Sequence, residues 1–126
     1  MMTATKVMNV GLRGVSACVP SKIIHNDEFE NVFGSSEVTK IINSTGVKQR
    51  HVVGAMCASD LCFASAEKLI IESGLDKEEI DGLIVVTQTP DYILPATSCV
   101  LHGRLGLSKK CVSFDITIGC SGYVYG

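Results

Sequence analysis

No stretch of this chain comes near the run of about eighteen apolar residues that a membrane-crossing helix requires, although 46% of its 126 residues are hydrophobic. The first ten residues lack the apolar h-region of a secretory signal, and the expected compartment is therefore cytoplasmic. Charge is balanced: 11 Lys and Arg against 13 Asp and Glu give a formal net charge of -2, which leaves no electrostatic pointer to nucleic acid or membrane. No Cys-x-x-Cys pair occurs among the six cysteines at positions 18, 57, 62, 99, 111 and 120, and the three histidines, His25, His51 and His102, are scattered. Metal-ligand spacing is thus missing and no metal is expected. Without a secretory signal the thiols read as small hydrophobes, mostly buried, rather than as a disulfide framework. Internal repeats and low-complexity segments are absent.

What remains is a chain long enough for one domain with a real core, in which helical and strand patterns alternate. Residues 7–19 read as a first strand interrupted by Gly11 and Gly14, which imply a bulge or a close backbone approach, and Pro20 with Ser21 closes it. Asn26 or Asp27 can cap a short helix through Phe29 and Phe33. A second helix over residues 37–43 leads to Ser44-Thr45-Gly46, and residues 47–53 form a short edge segment. Ser59 is the expected N-cap of a longer helix to Ser73, with Cys62, Ala66, Leu69 and Ile70 on one face and Gly74 as its stop. Asp76 and Glu79 have capping-box spacing for one more helical turn. Residues 83–86 are a continuous apolar run, the mark of a strand buried on both faces. A helix over residues 96–105 and a buried strand over 111–116 follow. Helix, strand, helix, strand and helix in succession argue for right-handed crossovers in an α/β sheet.

The last strand runs into Gly119 and then Cys120, after which Ser121, Gly122 and Tyr123 begin a helix. A cysteine at such a strand-to-helix corner has the free N–H groups of a first helical turn to hold a thiolate, and Gly119 and Gly122 allow unusual φ/ψ or a close chain approach. A helix terminus contributes only about 0.3–1 kcal/mol, or roughly 2 when buried, so a nucleophilic Cys120 needs a base or hydrogen-bond donors from elsewhere. The loop of residues 87–95 follows the carboxyl end of a strand, where open α/β sheets place their ligands. Mean hydropathy of +0.31 and a helix that stops at Gly126 lead to the expectation that the chain is the first part of something larger.

Gly11 through Pro20 with Asn26-Asp27, Thr45-Gly46-Val47 with Arg50, Ile80-Asp81-Gly82-Leu83-Ile84-Val85, Thr89-Pro90-Asp91 with Pro95, Leu105-Gly106, and Phe114-Asp115 leading to Cys120-Ser121-Gly122 together carry a resemblance. In their order and spacing the chain resembles the N-terminal part of the beta-ketoacyl-acyl-carrier-protein synthase III family, condensing enzymes of the thiolase superfamily. The resemblance implies a thiolase-like α/β fold with a mostly parallel sheet, present as an incomplete N-terminal half over residues 1–126. It implies that Cys120 takes an acyl group from a thioester, ahead of Claisen condensation with a malonyl thioester. The histidine, the asparagine and one oxyanion-hole glycine of such enzymes lie in a C-terminal half that this chain does not supply.

Leu94 takes the position of a residue that crosses a dimer into the partner's acyl pocket and bounds acyl size; an ordinary interface or core leucine is the other reading. Lys40 and Ser44 stand where relatives carry a tryptophan and an arginine that pack on coenzyme A. Thr45 alone of that clamp is kept, so the donor can be an acyl carrier protein or an unusual thioester as well as acyl-coenzyme A. No cofactor beyond that thioester substrate is implied, and a homodimer is. Two other readings stay open: an acyltransferase of the superfamily that does not condense with decarboxylation, and a non-catalytic dimerisation fragment. On any of them the chain alone is expected not to turn over.

Overall fold

The computed structural model describes residues 8–126. Its first group of elements is a two-stranded ribbon with a helical excursion. Strand β1 (Ile23–His25) pairs antiparallel with β2 (Gln49–His51), Ile23 opposite His51 and His25 opposite Gln49. Between them lie a 3-10 turn (Asn26–Phe29), α1 (Glu30–Phe33) and α2 (Ser35–Thr45). Gly34, at φ 82°, separates the two helices. Asn26, 3% exposed, ties the excursion to the ribbon: its N–H donates to Lys48 O at 2.9 Å and its amide to Val47 O at 2.7 Å. Arg50 donates to Asn26 Oδ1 and lies over the Phe29 ring.

The second group carries the core. It runs α3 (Ala58–Ser73), a 3-10 turn (Lys77–Glu79), β3 (Gly82–Val86), α4 (Thr97–Leu105), β4 (Val112–Ile116) and α5 (Gly122–Tyr125). Strands β3 and β4 are parallel, from Gly82 opposite Val112 to Val86 opposite Ile116. Side chains alternate across a strand, so Leu83 and Val85 turn toward the helices, where Ile70, Leu105, Leu107 and Cys111 form the buried cluster with Phe63 and Ala66 against it. Gly74 at φ 61° and Gly106 at φ 64° end α3 and α4 in the left-handed conformation that glycine adopts without strain.

Several expectations are corrected. Residues 8–20 form no strand, and Val7 lies outside the described residues. The segment is held against α3 instead: the Ser65 hydroxyl donates to Ser16 O at 2.9 Å, and a Cβ on Gly14 would come within 2.9 Å of Leu69 Cδ1. Gly14 thus marks a close approach, whereas nothing lies within 4 Å of such a Cβ on Gly11. A groove of about 500 Å³ separates Ser16, Ala17 and Cys18 from the facing residues of α3 and β3. β3 is covered on one face only, because Ile84 and Val86 point away from both helices and stay 40% and 41% exposed. The N-cap of α3 is Cys57, not Ser59, since Cys57 N–H donates to Asp60 Oδ2 at 2.9 Å and closes a capping box. Asp76 caps its short turn through Glu78 N–H, one residue earlier than the spacing suggested. Only Cys111 of the six cysteines is buried; Cys62 is half-buried, and Cys18, Cys57, Cys99 and Cys120 are exposed.

Candidate active site

The carboxyl ends of β3 and β4 meet at the corner that holds Cys120. Thr87 N–H donates to Ile116 O at 3.1 Å, so the ladder continues one step past β3. The chain then turns, with Gly122 N–H bonded to Gly119 O at 2.8 Å and the N–H groups of Val124 and Tyr125 to Ser121 O at 3.0 and 3.1 Å. Cys120 sits in this turn, exposed. Neither Gly119 nor Gly122 has a positive φ, which corrects the expectation of unusual backbone there. Gly122 is needed for closeness: a Cβ would stand 2.7 Å from Val86 Cγ1. That contact seats α5 on the exposed side of β3. With four residues α5 is a single turn, so its dipole is weaker than that of a full helix.

Hydrogen bonds hold the surrounding loop. The Asp115 carboxylate on β4 accepts from Thr97 N–H and Ser98 N–H, each at 2.7 Å, and so caps α4 from a neighbouring strand. Partial burial pushes the Asp115 carboxyl up, but hydrogen bonds from Ser98 and Thr97 outweigh it and hold it below the ordinary carboxylate value. Midway along the loop, Asp91 Oδ1 accepts from Ser59 N–H at 3.2 Å. Arg104 on α4 donates to Ser59 Oγ and pairs with Asp60 Oδ1, both at 2.9 Å, with its guanidinium 4.7 Å from the Phe63 ring centroid. The Cys57 N–H and then Arg104 hold the Asp60 carboxyl low. Burial, reinforced by the negative charge of Asp91, pushes the Cys62 thiol up.

Leu94, in the same loop, is 82% exposed beside Ile93 at 97%, a bare apolar tip. Thr45 ends α2, where its hydroxyl donates to Ile41 O at 2.7 Å and accepts from Val47 N–H at 3.2 Å. It belongs to the ribbon group, and no hydrogen bond joins it to the Cys120 corner among the described residues. Lys40 is paired with Glu37 and the Ser44 hydroxyl donates to Ile41 O at 3.0 Å, both local partners. His51 Nδ1 lies 2.6 Å from Pro20 O and His102 Nε2 2.9 Å from Ser108 O. Sequence reasoning missed two residues. Asp115 was legible as an acid inside an apolar strand, which demands a partner; Gln88, whose carboxamide lies against Gly119, carried no signal.

A beta-ketoacyl-[acyl-carrier-protein] synthase III from Desulfitobacterium hafniense is 36% identical over 121 residues, covering 95% of this chain and 36% of the relative. The crystal structure of a 3-oxoacyl-(acyl-carrier protein) synthase from Burkholderia xenovorans superposes with a TM-score of 0.80 at 42% identity, over 86% of this chain and 32% of that one. The chain is related to the beta-ketoacyl-[acyl-carrier-protein] synthase III proteins. The synthase III of Thermus thermophilus agrees, with a TM-score of 0.80 at 34% identity over 92% of this chain and 36% of its own. The α/β fold is therefore thiolase-like, as the resemblance implied. The chain spans about a third of the length of the synthase III relatives it matches, 36% in the first case. No family model matches it.

Proposed function

We propose that this chain is the N-terminal part of a condensing enzyme of the synthase III type, and that Cys120 is its acyl-accepting nucleophile. The observation that carries this reading is the exposed thiol in the turn where β4 ends, next to the loop that follows β3. Attack on a thioester forms an S–C bond to the acyl carbon and expels the donor thiol. Decarboxylation of a malonyl thioester, and attack of the resulting carbanion on the acyl-enzyme, need a histidine and an asparagine that this chain does not supply. Leu94, exposed at a loop tip, is read as the bound on acyl length across a homodimer, and Thr45 as a contact to the donor. Lys40 and Ser44, both exposed with only local partners, stand where relatives carry a tryptophan and an arginine, so the donor's handle is read as an acyl carrier protein as well as coenzyme A. No helix is long and apolar enough to cross a membrane among the described residues.

Intact-protein mass after incubation with acyl-coenzyme A and acyl-carrier thioesters tests the assignment, with Cys120→Ala as control. On this chain no adduct is expected. On a protein that includes the remaining two thirds, one acyl group is expected, lost in Cys120→Ala; no adduct there would remove the assignment.

A further inference from the structure

The loop after β3 brings a second polar group to the corner. The Gln88 carboxamide lies beside Gly119, nitrogen nearest: its Nε2, Cδ and Oε1 stand 3.4, 3.7 and 3.7 Å from the position a Cβ on that glycine would take. Gly119 directly precedes the exposed Cys120. The flanking threonines bond to one another, Thr89 N–H to Thr87 Oγ1 at 3.1 Å with the hydroxyls 3.3 Å apart, whereas the carboxamide forms no hydrogen bond among the described residues. Position 88 is nevertheless pinned on both sides, by Thr87 N–H on Ile116 O and by Asp91 on Ser59 N–H.

We propose that Gln88 is a substrate-contacting residue of the Cys120 site, its carboxamide N–H donating to the carbonyl oxygen of the arriving acyl thioester. The proposal rests on the reading of Cys120 as acyl acceptor. As the new S–C bond forms, negative charge collects on the carbonyl oxygen, where a placed donor acts more strongly than on the ground state. The bond to the leaving thiol then breaks, and that thiolate takes up the proton released by Cys120, so the exchange balances without a further reactant.

Two reagents of different shape separate this role from a structural one. Phenyl thioacetate is a reactive thioester that acetylates exposed thiols; dipyridyl disulfide reacts with the same thiols and presents no carbonyl oxygen. Rates are followed per cysteine by peptide mass spectrometry, with exposed Cys57 and Cys99 as internal references. Gln88→Met and Gln88→Leu, each checked by circular dichroism, are expected to slow acetylation of Cys120 about three- to tenfold while its disulfide exchange stays within about twofold, as for one lost hydrogen bond. Equal slowing with both reagents would assign Gln88 to the shape of the corner and overturn the proposal, as would no change with either. All rates are taken on a protein that includes the remaining two thirds, where Cys120 is expected to be acylated. If wild-type Cys120 stays unacetylated there while other cysteines react, the acyl-acceptor reading falls and this proposal with it; if Cys120 is acetylated but indifferent to residue 88, this proposal alone falls.

Discussion

Asp115→Asn removes the charge and one acceptor from the start of α4 while keeping the shape of the side chain. In the wild type Oδ2 takes the Thr97 N–H and Oδ1 the Ser98 N–H, both at 2.7 Å, and both donor residues are 0% exposed. Asparagine can accept only one of these; its amide nitrogen must face the other donor, so one buried N–H is left without a partner. A hydrogen bond to a charged group contributes about 1.5–3 kcal/mol and an orphaned buried donor costs about 1–3 kcal/mol. Solvent screening of a partly exposed carboxylate reduces the charge component. The expected loss is about 2–3 kcal/mol, read as a fall in the urea midpoint by far-ultraviolet circular dichroism at an unchanged slope.

The pH dependence has a definite sign. Burial raises the Asp115 carboxyl and the hydrogen bonds from Ser98 and Thr97 lower it further, so its folded pKa lies below the reference of 3.8. A carboxyl with a depressed folded pKa stabilises the protein above its unfolded pKa, and that contribution is lost as pH falls through the folded value. The difference between wild type and Asp115→Asn should be flat from about pH 7 to 5 and shrink below about pH 4. An asparagine variant as stable as wild type at neutral pH, or a gap that widens on acidification, would refute the cap.

Gly122→Ala places a methyl group 2.7 Å from Val86 Cγ1, on a β-branched side chain that cannot swing aside. It should cost about 1–3 kcal/mol in thermal melts, and Val86→Ala in the same chain should recover most of that. Arg104→Ala should raise the Asp60 carboxyl pKa measured by NMR, yet leave it below the reference because the Cys57 N–H is its larger stabiliser. A full return to the reference value would mean that the capping box contributes nothing.

The long, strongly patterned elements were legible, since α3, β3, α4 and β4 each carry an apolar period and a glycine or polar stop. The three-residue strand β1 was not, because Ile23–His25 is too short to show alternation and is defined by its partner β2. Residues 8–20 failed in the opposite sense: they have a strand's composition, but a strand exists only through a paired neighbour, and Gly14 and Ser16 are engaged by α3 instead. The α3 cap shifted to Cys57 because Asp60 reaches back to its N–H, while Arg104 occupies the hydroxyl of Ser59. The contacts of residues 8–20 and the Arg104–Ser59 bond join residues far apart in sequence, which local pattern does not see, whereas the Cys57–Asp60 box spans only three residues and was open to a local reading.

By itself the sequence determined the order of helices and strands, the glycine stops and the cysteine at the strand-to-helix corner. These depend on side-chain period and local backbone freedom, which are properties of a few consecutive residues. The tertiary structure alone decided which carboxylates act as braces, that Gln88 lies beside Gly119, that Gly122 serves closeness rather than strain, and that one face of β3 meets only the single turn of α5. Those outcomes follow from how separate segments meet. A hydrogen bond from β4 to α4 joins residues 17 positions apart, and one from the loop to α3 joins residues 32 apart. No short window of sequence contains either pair.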